Sequence, residues 1–346
     1  MISRRMALTS MAGTAALAAM PSLAVAPAPA PVRLPPRLRE GDTVGLVAPA
    51  GFVADRFGVE EIEHTIRAMG LVPKAGRHLL DRYGYLAGQD KDRAADLNRM
   101  FADPQVKAIF AVRGGWGSQR VLPHLDWRTI RANPKLLTGS SDITALHLAI
   151  AARAGFTTVH GPNASASWPR SSWEQFRALA FEAATPRYEI LAGSWNGLAV
   201  REPRVRTFGK GTARGRLLGG NLSILSAMAG TPWLPDFTGA ILFLEDTNES
   251  EYRIDRMMTQ IAQAGILEAA AGVVFGQCTN CRNPGGGYGN FTIYEVLDQH
   301  LSPLGKPAFQ GAQIGHIAAQ VPVPMGVMAQ IDAQTGTIEM LAPTVT

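Results

Sequence analysis

The run Leu136-Leu137-Thr138-Gly139-Ser140-Ser141-Asp142, followed at once by Ile143-Thr144-Ala145-Leu146-His147-Leu148-Ala149-Ile150, constrains this chain more than any other stretch. A short apolar run ending in Gly and hydroxyls, then helical apolar spacing, reads as strand, tight turn, helix. A strained turn of that kind lifts the Ser141 hydroxyl clear of the backbone, and the N–H of Asp142 at the helix start is placed to stabilise an oxyanion. The same residues also suit a plain N-cap, in which Ser or Asp satisfies an orphaned backbone N–H. Both readings stand on this segment alone, and partners elsewhere in the chain must decide between them.

From Gly41 onward, short β-rich runs alternate with helical stretches: strands at 43–48, 106–112 and near 157–160, helices at 59–69 and 92–101. That alternation predicts a parallel sheet covered on both faces, with active residues at the carboxyl ends of its strands. Val112-Arg113-Gly114-Gly115-Trp116-Gly117 sits at such an end, where glycines let the backbone approach a ligand closely. Beyond about 163 the periodicity fades, apart from a helix ending near 184. A second region begins around Arg216-Leu217-Leu218-Gly219-Gly220-Asn221-Leu222 and continues with a helix to 229, a strand at 240–244, a helix at 252–264, a strand at 272–275, a helix at 293–301 and β-rich runs after 326. A chain of 346 residues, 46% hydrophobic, is long enough for two domains. The expected organisation is an N-terminal α/β domain at 37–185, a linker at 186–213 and a C-terminal domain at 214–346.

The formal net charge of +5 is spread along the length without a block of basic residues, so no nucleic-acid or membrane patch is indicated. Ser3-Arg4-Arg5 precedes an uncharged stretch rich in Ala, Met, Leu, Gly and Thr, the pattern of an export signal of the twin-arginine kind. Cleavage after Ala24 leaves an Ala/Pro-rich tether at 25–36 and predicts a periplasmic protein with no stable membrane association. The only cysteines, Cys278 and Cys281, are too few for a four-ligand zinc site. Structural thiols or a local disulfide are favoured over redox chemistry.

Two further polar groups stand at element ends. The apolar strand Ala240-Ile241-Leu242-Phe243-Leu244 stops abruptly at Glu245-Asp246-Thr247-Asn248-Glu249, where a carboxylate is placed to orient an imidazole, or else where Asp246 or Asn248 caps the next helix and the acids are solvated. His316, in Ile314-Gly315-His316-Ile317, lies in a loop without helical apolar spacing. His124 and His147 read as helix-face or core residues, and His160 in His160-Gly161-Pro162 competes with His316 for a functional role. Ser141, Glu245 and His316 follow the order serine, acid, histidine, but Ile143 replaces the second glycine of a Gly-x-Ser-x-Gly elbow, which argues against an ordinary α/β-hydrolase.

Taken together, Gly41-Asp42-Thr43-Val44-Gly45-Leu46-Val47-Ala48-Pro49-Ala50, Arg113-Gly114-Gly115-Trp116-Gly117, Gly139-Ser140-Ser141-Asp142, His160-Gly161-Pro162, Gly219-Gly220-Asn221-Leu222, Leu244-Glu245-Asp246 with Tyr252-Arg253-Ile254-Asp255-Arg256, and Gly315-His316 resemble the LD-carboxypeptidase family of serine peptidases, also called the microcin-immunity family. The resemblance implies a flavodoxin-like N-terminal domain joined to a smaller C-terminal swivelling α/β domain, with the site between them and homodimers common. It implies Ser141 as nucleophile, His316 as general base and acid, and Glu245 as the carboxylate that fixes the imidazole. Backbone N–H groups of Gly115 and Asp142 would form the oxyanion hole. An aromatic residue is usual in the family where Ser140 stands.

The activity so implied is hydrolysis of the amide bond between an L-centre, diaminopimelate or Lys, and a terminal D-alanine in peptidoglycan tetrapeptides, with no metal or organic cofactor. Arg113, with Gly114 and Trp116, is the candidate substrate contact, although Arg113 is equally suited to a structural role. Two alternatives remain. One is cleavage of a peptidyl or aminoacyl nucleotide antibiotic, for which Trp116, Trp195 or Trp233 would clamp the base. The other is a non-catalytic periplasmic protein that binds cell-wall peptides.

Overall fold

The computed structural model of the chain describes residues 32–189, 205–282 and 291–346. The export signal expected at 1–24, most of the tether at 25–36, much of the linker at 186–213 and Trp195 lie outside those residues. Residues 32–36 do not stand off as a tether: Arg33 bridges Phe156 and donates through its guanidinium to the carbonyl of Ala154 at 2.8 Å, while the carbonyl of Pro35 accepts the N–H of Thr346.

The first half supplies β1 (Thr43–Val47), β2 (Val72–Ala75), β3 (Val106–Ala111), β4 (Leu136–Gly139) and β5 (Thr158–His160). The second supplies β6 (Arg187–Tyr188), β7 (Arg206–Gly209), β8 (Thr212–Asn221), β9 (Ile241–Thr247), β10 (Gly272–Thr279), β11 (Ala308–Gln310), β12 (Val323–Met325), β13 (Met328–Asp332) and β14 (Thr337–Met340). These strands form two sheets. One is six-stranded in the order β12-β5-β4-β3-β1-β2, and the other is eight-stranded in the order β6-β14-β13-β8-β9-β10-β11-β7.

In the first sheet β1 to β5 are all parallel, and the order β2-β1-β3-β4-β5 is that of a flavodoxin-like doubly wound domain. Its inner strands β1, β3 and β4 are buried almost throughout, with Lys107 near the start of β3 the exposed exception, because helices cover both faces and most residues have no solvent to meet. The helix Arg56–Ala68 buries Val59, Ile62 and Ile66, one stripe at helical spacing, and Asp55 caps it by accepting from the N–H of Gly58. The helix Thr144–Arg153 is buried throughout its first seven residues, since it lies in a core shared by both halves: Leu146 and Ile150 belong to the same apolar cluster as Leu222 and Leu225.

In the second sheet β8 to β11 run parallel, and β7, β13, β14 and β6 add antiparallel strands at the edges. The chain crosses back once. Its late strand β12 pairs antiparallel with β5, carrying Val323 opposite His160. Among the described residues no helix is long and apolar enough to cross a membrane.

Candidate active site

Ser141 stands two residues past the end of β4 and has φ of 63°, the left-handed region that a residue with a Cβ enters only at a cost of about 1–2 kcal/mol. It opens a 3-10 turn, Ser141–Ile143, that runs into the helix Thr144–Arg153. Neither Ser141 nor Asp142 caps that helix. The position before the turn is Ser140, which makes no side-chain cap bond, and the Asp142 carboxylate instead accepts the N–H of Ser118 at 2.6 Å. Burial pushes the Asp142 carboxyl above its usual range against the pull of those N–H bonds. The N–H groups that open such a turn have no partner within it.

The elbow is braced from behind. His147, fully buried, donates from Nε2 to the carbonyl of Gly139 at 2.9 Å and accepts the Thr158 hydroxyl on Nδ1 at 2.8 Å. Burial lowers its pKa to about 4, so the ring is neutral, and its Nε2–H fixes the carbonyl two residues before the nucleophile candidate. Asn163 accepts the N–H of Ser140 at 3.1 Å, and Ser140 itself is buried. In front lies the turn after β3. A Cβ on Gly114 would stand 2.8 Å from Ser141 Cβ and 3.1 Å from its Oγ, so only glycine permits this approach.

Glu245 is not at the end of its strand. The expected strand stopped at 244, but β9 continues through Thr247, with Glu245 paired to Asn221 and Asp246 to Cys278. Both acids are buried, and neither caps the helix Glu251–Gln263, whose N-cap is Ser250. Asp246 accepts from Asn221 Nδ2, from the backbone N–H of Thr247 and from both the N–H and the hydroxyl of Ser223. Burial still raises its pKa to about 6, with the Glu245 charge adding to the rise.

His316 donates from Nδ1 to Glu245 Oε2 at 2.8 Å, with its side chain 29% exposed and the carboxylate not at all. Burial works to lower the His316 pKa, but the hydrogen bond and charge of Glu245, helped by Asp246, outweigh it and the net shift is upward. The backbone of His316 is held by the Thr279 hydroxyl, which donates to its carbonyl at 2.9 Å. Gly315 has φ of 123°, and a Cβ there would meet Glu245 Cβ and Oε2 at 3.1 Å, so the residue before the imidazole is restricted to glycine. Cys278 and Cys281 form a disulfide that ties the end of β10, where Thr279 lies, to the turn after it.

The two halves meet beside this pair. The N–H of Asn221, register partner of Glu245, donates at 2.9 Å to the hydroxyl of Thr144, three residues past Ser141. His160 also reaches the pair, its Nε2 3.9 Å from Glu245 Oε1. Thr144, Thr279 and Asn163 escaped the sequence because hydroxyl and amide side chains carry no periodic signal.

Arg113 is exposed and donates from Nη1 to the carbonyl of Phe52 at 3.0 Å. Trp116 is 42% exposed. Trp233 packs against Trp127 with ring centroids 5.6 Å apart and carries the Arg153 guanidinium on its face, so it belongs to a structural cluster. Among the described residues the ligand atoms of His78, Asp81 and Asp92 lie within 4.8 Å of one another, and none of the residues around Ser141 or Glu245 belongs to that group.

A doubly wound sheet with a strained serine elbow, joined to a second α/β sheet whose buried carboxylate holds a partly exposed imidazole, has the build of a two-domain serine peptidase. Residues 44–161 match the LD-carboxypeptidase N-terminal domain and residues 214–331 the LD-carboxypeptidase C-terminal domain. The chain is 36% identical over 319 residues to a probable murein peptide carboxypeptidase of Bacillus subtilis, covering 88% of this chain and 94% of that protein. It is 31% identical over 300 residues to the murein tetrapeptide carboxypeptidase of Pseudomonas aeruginosa, covering 84% and 92%. The solved structure of microcin C7 self-immunity protein MccF in its apo state superposes with a TM-score of 0.78 at 25% identity, covering 91% of this chain and all of that one. The chain belongs to the LD-carboxypeptidase family.

Proposed function

We propose that this protein is an LD-carboxypeptidase that removes the terminal D-alanine from peptidoglycan tetrapeptides through a Ser141-His316-Glu245 acyl-enzyme mechanism. The observation that carries the reading is the hydrogen bond from His316 Nδ1 to the fully buried Glu245. With Nδ1 engaged by an acceptor-only group, Nε2 is the nitrogen left to take a proton. Ser141 attacks the carbonyl of the scissile amide and His316 Nε2 takes its proton, becoming an imidazolium that Glu245 stabilises. The N–H groups of Asp142 and Gly115 receive the developing oxyanion, and His316 then passes the proton to the departing D-alanine. Water activated by His316 clears the ester. Arg113 uses one of its donors on Phe52, and the others are suited to a substrate carboxylate. Export to an oxidising compartment accords with the Cys278–Cys281 disulfide and is part of the same proposal.

One observation favours a second reading. Trp116 presents an exposed aromatic face beside the 113–117 turn, where a nucleobase would stack if the substrate were an aminoacyl nucleotide. Incubation of the protein with defined muropeptides and, separately, with an aminoacyl sulfamoyl adenosine, each followed by mass spectrometry, tests both. Release of D-alanine by the wild type and not by Ser141→Ala supports the carboxypeptidase. Cleavage of an aminoacyl sulfamoyl adenosine alone supports the second reading. Failure on both, together with no labelling of Ser141 by a fluorophosphonate, makes the protein a non-catalytic binder.

A further inference from the structure

His160 ends β5, held by Gly139 of β4 on one side and Val323 of β12 on the other. Its ring is fully buried, edge-on to Phe243 at 5.4 Å and 6.1 Å from the ring of His147. Its Nε2 lies 3.9 Å from Glu245 Oε1, which is longer than a formed hydrogen bond and well within electrostatic reach in a buried site. Three buried polar atoms meet at this spot without a hydrogen-bond partner: both ring nitrogens of His160 and Oε1 of Glu245.

That arrangement is costly for a residue whose only task is to fill space. Phenylalanine would pack against Phe243 without burying two ring nitrogens. Burial, with the nearby rings of His147 and His316 adding to it, holds the His160 pKa well below the ordinary imidazole value, so the ring brings an N–H dipole and no charge. A carboxylate only accepts, so the nitrogen facing Glu245 is the protonated one.

We propose that His160 is a positioning residue: its Nε2–H, reaching across from the first sheet, orients Oε1 of Glu245 so that Oε2 is presented to His316 Nδ1. A carboxylate engaged through one oxygen alone is free to rotate about its last carbon–carbon bond, and rotation would misalign the imidazole. His160 stands two strand positions from the elbow in register and belongs to the same sheet as Ser141, so it ties the orientation of the acid–base pair to the half that carries the nucleophile. The inference rests on the catalytic reading above.

The test uses the full chain with His160→Phe, which keeps the packing, and His160→Gln, whose side-chain N–H overlays the ring Nε2. Expected for His160→Phe are a fall of at least tenfold in fluorophosphonate labelling of Ser141, a matching fall in kcat with KM within twofold, and broadening of the downfield proton resonance of His316 Nδ1–H. His160→Gln should recover labelling to within about threefold of wild type. A folded His160→Phe that labels at the wild-type rate with the resonance unmoved would overturn the proposal, as would a glutamine variant no better than the phenylalanine one. Where His160→Phe does not fold, nitrogen chemical shifts in the wild type decide: a neutral Nε2–H tautomer supports the assignment and an Nδ1–H tautomer refutes it. Labelling of Ser141→Ala at the wild-type rate would instead sink the serine mechanism, and the tautomer would still decide the role of His160.

Discussion

Replacing Glu245 by glutamine tests the proposed mechanism where it is most exposed. The substitution keeps volume and removes charge at a carboxylate that has no contact with solvent. In a site of this kind the neutral amide has two orientations. If its NH2 group faced His316 the ring would be forced into the wrong tautomer, with Nε2 protonated and useless as a base. The structure offers a way out, because the other oxygen faces His160, a neutral ring 3.9 Å away that can move its proton from Nε2 to Nδ1 once the carboxylate is gone and so accept the amide N–H. Glu245→Gln therefore keeps the productive His316 tautomer and loses the charge assistance of one buried hydrogen bond, about 1.5–3 kcal/mol. That corresponds to a fall of roughly 10- to 150-fold in kcat/KM, less than loss of the serine or the histidine. The pH profile carries a second signature. His316 must be neutral to act, and Glu245 raises its pKa, so kcat/KM falls as the pH drops through a value above that of an ordinary imidazole. Without the carboxylate the same burial acts unopposed by that charge, and the acid limb moves to lower pH. D-alanine release measured from pH 5 to 9 reads both. A loss under threefold, or an acid limb that stays in place or rises, would refute the account.

Ser141→Gly should be more stable than Ser141→Ala by about 1 kcal/mol, since glycine alone relieves the left-handed backbone, and both should be inactive; thermal melting and labelling check this. Gly315→Ala forces a Cβ against Glu245 and a disfavoured φ, so a loss of about 1–3 kcal/mol in stability and more than tenfold in labelling is expected from calorimetry and inhibition kinetics. His147 has a folded pKa of about 4 against 6.5 for the free ring. The stability tied to keeping it neutral is present in full above pH 6.5 and is lost as the pH falls toward 4, a change of about 3 kcal/mol. Urea unfolding across that range should show the slope in the wild type and a shallower one in His147→Gln. Reduction of Cys278–Cys281 removes about 2 kcal/mol of constraint and loosens the end of β10, where Thr279 holds the His316 carbonyl, so dithiothreitol should lower the melting temperature and slow labelling several-fold.

The amino-acid sequence carries the parts of this protein that depend on local pattern. Apolar runs and helical spacing locate β1, β3, β4 and β5, and the helix Ile293–Leu301 falls where its pattern puts it, because a capping box at Thr292 and Glu295 gives a sharp start. The strand–turn–helix around Ser141 is equally legible, since it is built from neighbours in the chain. Short edge strands are not: β2 is the four-residue, partly exposed run Val72–Ala75 with a proline inside it, and β12 lies in a proline-rich stretch that reads as loop, because each is too short to show a period and depends on one partner strand. The fate of Glu245 and Asp246 is a tertiary matter. Two adjacent acids after an apolar strand look solvated in sequence, and only the pairing of β9 with β8 and β10 keeps them inside, where Ser223, Asn221 and His316 offset the cost of burying them. Local pattern names the chemical groups, but their protonation and orientation follow from long-range packing, which sets the dielectric and the partners around each one.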